Sequence, residues 1–237
     1  MKARVKFSKR GPVKYVGHLD MMRYFQKTIR RAQIPIAYSE GYNPHMIMSF
    51  AAPLGVGTQS DGEYFDMILQ EPMASREMCE RLNATMAEGI QVVNIVEVED
   101  TKATNAMSLV AAADYEIVYE AMAEAVAVRW AAALREFAAQ ETIEVLKKTK
   151  RSESLVDIRP FIYEISMLGN VMHMKLAAGS VNHTKPELVL AAFMEYTGES
   201  AAPQAFQLIR NEIYAATGEP ENPQFVSLDA LGSEIIV

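Results

Sequence analysis

Apolar and basic residues alternate from Ala3 to Phe7, the period-two pattern of a half-buried strand, and Gly11-Pro12 breaks it. From about His18 to Gln33 the period changes to that of a helix. Leu19, Met22, Phe25, Ile29 and Ala32 recur at three- or four-residue steps and share one face, while Arg23, Lys27, Arg30 and Arg31 gather on the other. Asp20 in the first turn and the arginines in the last suit the helix dipole. A loop follows at Gly41-Tyr42-Asn43-Pro44. Strands are predicted at Met46 to Phe50 and at Glu63 to Leu69, with a glycine-punctuated turn between them. A helix from Ser75 to about Met86 and a strand from Ile90 to Val98 complete a β-α-β-β-α-β order, the ferredoxin-like plan.

The order then repeats with a less regular second copy. Tyr115 to Tyr119 reads as a strand and Ala123 to Gln140 as a helix. Thr142 to Lys148, Phe161 to Ile165 and Val171 to Leu176 read as strands, and Pro186 opens a helix to Tyr196. Gln204 to Ala215 fits a closing strand or a helix equally. The expected fold is α+β, two tandem ferredoxin-like (βαββαβ) domains. Residues 1–99 form the first, with a basic surface. Residues 114–217 form the second, and 218–237 trail as a tail.

Half of the 237 residues are hydrophobic and 22% are charged, a balance able to bury a core. No stretch approaches the roughly 20 apolar residues of a membrane span, and the basic N-terminus lacks the apolar core of a signal peptide. A soluble cytoplasmic protein with no membrane contact is expected. Cys79 is the single cysteine, which excludes an internal disulfide, a two-cysteine zinc site and an iron–sulfur cluster held by this chain alone. No metal and no cofactor are expected.

The net charge of −7 conceals an asymmetry. Residues 1–50 carry ten Lys and Arg against Asp20 and Glu40 alone, so the remainder is strongly acidic. A concentrated basic segment in an acidic protein suits a directed contact with an anionic partner. The candidate binding residues are Lys14, His18, Asp20, Arg23, Lys27, Arg30 and Arg31, with Tyr38, Tyr42, Asn43 and His45 from the loop. The tyrosines offer stacking faces. Lys147, Lys148, Lys150 and Arg151 form a second basic run that suits a solvated loop or an extension of a phosphate-tracking surface.

His18 and His45 each sit near a loop beside arginines and a tyrosine, and histidine suits proton transfer near neutrality. They are the catalytic candidates. The plainer reading has His18 packing the helix start and His45 ordering the Asn-Pro turn. A zinc site from His18, His45 and Asp20 lacks any close-spaced ligand pair. Gly55 and Gly57 are followed by no Gly-Lys-Ser/Thr and read as turn glycines, not as a phosphate loop.

The ordered motifs Gly11-Pro12, Gly17-His18-Leu19-Asp20, Tyr38 to His45, Pro53-Leu54-Gly55-Val56 and Gly62-Glu63-Tyr64-Phe65-Asp66 resemble the radical-SAM-linked proteins, a bacterial family of unknown function. The resemblance continues through Val156-Asp157-Ile158-Arg159-Pro160, Gly179-Ser180 and Pro186-Glu187-Leu188-Val189. It departs at Asn182-His183-Thr184-Lys185, where the family has Gly-Asn and then a basic residue before Pro. Such proteins are encoded beside radical-SAM enzymes or fused to them, so the resemblance implies a radical-SAM enzyme as partner. The enzyme's cysteine triad is absent here, so this chain is not that enzyme. Two functions are therefore expected as alternatives. One is an accessory protein whose basic surface binds RNA, a ribonucleoprotein or the radical-SAM partner. The other is a metal-independent RNA-processing endonuclease using His18 or His45, resembling CRISPR repeat-processing ribonucleases in architecture only.

Overall fold

A computed structural model describes residues 1–148, 153–180, 182–199, 206–219 and 222–237. The elements follow as β1 (Lys2–Lys9), α1 (His18–Arg31), β2 (Met48–Phe50), β3 (Gln59–Ile68), α2 (Ser75–Asn83), β4 (Ile90–Val98), α3 (Ala106–Leu109) and β5 (Val110–Tyr119). Then come α4 (Glu124–Ala138), β6 (Glu144–Lys148), β7 (Glu153–Asp157), β8 (Ile162–Leu168), β9 (Val171–Ala177), α5 (Pro186–Thr197), β10 (Phe206–Glu219) and β11 (Asn222–Ser227). The structure is α+β, with a large nine-stranded sheet that is mostly antiparallel, a two-stranded sheet, and five α-helices among the described residues. No helix among them is long and apolar enough to cross a membrane.

Two compact units divide the chain, Met1–Ala111 with Arg210–Val237, and Ala112–Ile209. In the first, β4 and β3 flank β1 and β2 pairs with β3, all antiparallel. Ala3, Val5 and Phe7 point from β1 into the core, where Phe7, Phe25, Phe50 and Phe65 meet at centroid separations of 4.6–6.0 Å. The alternation in β1 suggests one wet face, yet Lys2 and Arg4 are buried too. In the second unit β9 lies between β5 and β8, again antiparallel. Its helices pack through Trp130, Phe137 and Phe193, whose rings meet edge-on.

Several expected boundaries move. The strand predicted from Thr142 to Lys148 becomes β6, which pairs with β7 as a separate hairpin. The ambiguous Gln204–Ala215 segment is strand β10 from Phe206 onward. Residues 218–237 do not trail as a tail. Asn222–Ser227 pairs with β10, and Ile235 is buried in the first unit's core. Ser75 and Ile235 exchange hydrogen bonds, backbone N to carbonyl at 3.0 Å and backbone N to Oγ at 2.9 Å. Pro223 sits in the edge strand β11, where a missing N–H is tolerated.

Candidate functional site

Half of the basic N-terminal segment is structural. Lys2, Arg4 and Lys6 alternate along β1 and share a face. Arg4, wholly buried, donates through Nε at 2.8 Å and Nη2 at 3.2 Å to Asp66, and also to the carbonyls of Thr104 and Leu228. Lys2 donates to Thr101 O and Asn105 Oδ1 and lies 3.3 Å from Asp100. Lys6 pairs with Glu212, and Arg10 with Asp61. Lys9 donates to the carbonyls of Lys14 and Val16 at 3.2 and 2.7 Å. Burial holds its pKa below the usual lysine value; nearby Glu63 opposes the shift and Arg210 adds to it. The expected basic surface over residues 1–50 thus contracts, because acids remote in sequence neutralise the cations of β1.

What stays in solvent is one face of α1. Arg23, Lys27 and Arg30 are exposed, and Arg23 meets only the equally exposed Asp20, at 3.4 Å. Lys27 and Arg30 have no ion-pair partner among the described residues. Arg31, on the flank of this stripe, donates to Thr28 Oγ1 and Thr85 O. The buried face is made by Met21, Phe25, Thr28 and Ile29. Leu19 therefore does not join the core as the sequence suggests. It lies one helical turn before Arg23 and on the same exposed stripe. Lys14, half-buried in the 3₁₀ turn Gly11–Tyr15, places its ammonium 5.3 Å from the Tyr15 ring centroid.

The loop from Tyr38 to His45 is closed by its ends. Tyr38 bridges to Met46, and Ser39 N donates to His45 O. Ser39 Oγ accepts from His45 N at 3.1 Å and lies 2.8 Å from His45 Nδ1. Tyr42 projects from the loop fully exposed, and Asn43 beside it is exposed. Among the described residues no hydrogen bond or ion pair joins this loop to the cations of α1.

The two histidines are not brought together. His18 is half-buried with its ring edge-on to Phe50, 5.4 Å between centroids. It lines a recess of about 20 Å³ with Lys9, Leu54 and Glu63, which admits about one water. His45 lines a cleft of about 420 Å³ with Lys2, Ser49, Asp66, Asp100 and Asn105. Among the described residues no three His, Cys, Asp or Glu side chains are grouped to hold a metal. Of the second basic run, Lys147 and Lys148 end β6, whereas Lys150 and Arg151 lie outside the described residues.

Two buried polar clusters escape sequence reasoning. Glu63 accepts from Arg210 Nε and Nη2 at 2.7 and 2.5 Å. The Tyr64 hydroxyl sits 2.6 Å from Glu212 and 2.9 Å from Asp229, beside Lys6 and Asn94. Burial and then the two carboxylates push the Tyr64 phenol far up, which keeps it protonated. Burial pushes the Asp229 carboxyl up, but hydrogen bonds from Asn94 and Ser227 and the charge of Lys6 carry it below its ordinary value. Glu63 and Tyr64 stand in the Gly62–Asp66 motif of the sequence, and a Cβ on Gly62 would lie 2.7 Å from Asn211 O and from Glu212 Oε1.

Fold and site together define an α+β protein whose β1 cations are internally compensated and whose helix α1 presents an open basic face. The sequence pattern of a bacterial family described as an uncharacterized protein conserved in bacteria (DUF2344) matches residues 2–186, and the chain belongs to that family. No curated protein matches the chain. Among solved structures it is similar to a chain of "Crystal Structure of a Cbf5-Nop10-Gar1 Complex", at 11% identity and a TM-score of 0.44 over 89% of this chain. The match covers 48% of that chain, so this protein spans about half its length.

Proposed function

We propose that this chain is an accessory binding protein of the cytoplasm that holds RNA through the exposed stripe of α1, and that it works beside a radical-SAM enzyme, as the family resemblance implies. The observation that carries the RNA reading is the sorting of the N-terminal cations. Lys2, Arg4, Lys6 and Arg10 each meet a carboxylate from a distant part of the chain, whereas Lys27 and Arg30 have none among the described residues and Arg23 has only exposed Asp20. Cations held in a row on a rigid helix and left without acids suit a phosphate backbone. The endonuclease reading has less support, since His45 is held by Ser39 and lines a cleft different from the recess that His18 lines. We also read both units as ferredoxin-like. The strand order β4-β1-β3 with β2 beside β3 in the first, and the order β5-β9-β8 in the second, support that plan.

The test compares RNA binding by the wild type, by Arg23→Gln/Lys27→Gln/Arg30→Gln/Arg31→Gln, and by Arg10→Gln, which removes a cation already paired with Asp61. The fourfold variant is expected to lose about tenfold or more in affinity at moderate salt, and Arg10→Gln to bind as the wild type does. Equal affinity in all three, or no RNA affinity in the wild type, refutes the RNA reading.

A further inference from the structure

Three large apolar side chains stand open at the start of α1. Tyr15, Leu19 and Val56 are 67%, 66% and 66% exposed. Gly57 N donates to Lys14 O at 2.9 Å, which ties the 53–57 turn to the approach to the helix. A Cβ on Gly17 would lie 3.9 Å from Val56 Cγ2, so Val56 rests over Gly17, with Tyr15 and Leu19 two positions to either side. The ground beneath is fixed. The buried Lys9 ammonium holds the carbonyls of Lys14 and Val16, Arg10 N donates to Gly89 O, and the His18 ring meets Phe50. Single exposed apolar residues are ordinary, but three set around Gly17 on a braced surface are the kind of feature that interaction sites show.

The surrounding charge selects the partner. Lys14 has no carboxylate among the described residues, and Arg23, one turn after Leu19, has only the exposed Asp20, at 3.4 Å. A second copy of this chain docked through this same patch would bring the same cations against them. RNA would satisfy those cations and leave Leu19 and Val56 without a counterpart. We infer that this patch docks an acidic segment of a different protein. Its aliphatic or aromatic anchors cover Tyr15, Leu19 and Val56, while flanking Asp or Glu residues meet Lys14 and Arg23. The site borders the RNA stripe proposed above and shares Arg23 with it, but its apolar anchors Tyr15, Leu19 and Val56 are not among the cations assigned to RNA.

Random peptides displayed on phage, panned against the immobilised full-length protein, test this. The expected winners carry Asp or Glu on either side of Leu, Ile, Phe or Trp. A synthetic peptide of the winning sequence should lose about tenfold or more in affinity for Leu19→Ser/Val56→Ser, as loss of central anchors does. The variant should keep the wild-type melting curve, because both side chains are exposed, and its RNA affinity should be unchanged. No winner, winners without that pattern, or equal affinity for the variant overturns the proposal. So does a fall in RNA affinity in the variant, which would give the patch to RNA. A wild-type dimer in sedimentation that the variant abolishes would give it to a second copy and overturn the proposal as well.

Discussion

Replacing Arg4 with Met removes two donors from Asp66 and leaves that buried carboxylate with Ala106 N, at 2.7 Å, as its remaining donor among the described residues. The carbonyls of Thr104 and Leu228 lose a donor in the same step. Breaking one side of a buried ion pair costs about 3–5 kcal/mol, because the surviving charge is desolvated and poorly compensated. For a chain of this size that lowers the thermal midpoint by about 6–20 °C. Arg10→Met deletes the same charge six residues away, but Arg10 and Asp61 are each more than two-fifths exposed. An exposed pair contributes about 0–1 kcal/mol. Urea unfolding of the three proteins, followed by far-UV circular dichroism, separates the cases. A small effect of Arg4→Met, or an equal effect of both changes, would refute the division of the N-terminal cations into structural and free sets.

Phe25→Ala should cost about 3–5 kcal/mol in the same unfolding assay, since Phe25 is fully buried against Phe7 at 4.6 Å and Phe65 at 4.8 Å; an unchanged midpoint would mean α1 is rotated. Gly62→Ala should lose about 1–3 kcal/mol through overpacking against Asn211 and Glu212, and a neutral outcome would show that β10 gives way. Lys9 is lowered in the folded state, so its linked stability is present above 10.5, the ordinary lysine value, and is lost as pH falls through the lower folded one. The wild type should therefore gain stability relative to Lys9→Met as pH rises toward 10.5, and parallel stability curves would contradict this. Burial and then the charge of Glu80 push the Cys79 thiol up to about 11. At pH 8 about one molecule in a thousand is then thiolate, so Ellman's reagent should react slowly until the protein is denatured.

The α1 helix shows what periodicity reveals and what it omits. Phe25 and Ile29 mark the buried face in both sequence and structure, and Arg23, Lys27 and Arg30 are exposed as the pattern predicts. Leu19 fails because hydrophobicity is read as burial, while a helix start beside an open turn leaves it in solvent. Charge counting over residues 1–50 fails differently. It tallies Arg4 and Lys6 as surface, whereas their compensating acids, Asp66 and Glu212, lie 62 and 206 residues away. Long-range pairing of this kind leaves no local signature. The second unit loses one predicted strand to the β6–β7 hairpin because a run of apolar and basic residues specifies extended backbone without naming the strand it joins. Of the two roles open to His45 in the sequence, ordering the turn beside Asn43-Pro44 is the one that local sequence can suggest, and its ring and backbone N–H both meet Ser39 Oγ.

The salt dependence of binding tests the central claim most directly. Fluorescence anisotropy of a labelled single-stranded RNA of about 15 nucleotides, titrated with wild type and with the fourfold glutamine variant of α1 across a range of salt, gives each protein a log–log slope. If Arg23, Lys27, Arg30 and Arg31 each neutralise a phosphate, the variant's slope should be shallower by about 3, at roughly 0.7 for each lost contact. Parallel slopes for the two proteins would contradict the account, because the cations of α1 would then meet no phosphate.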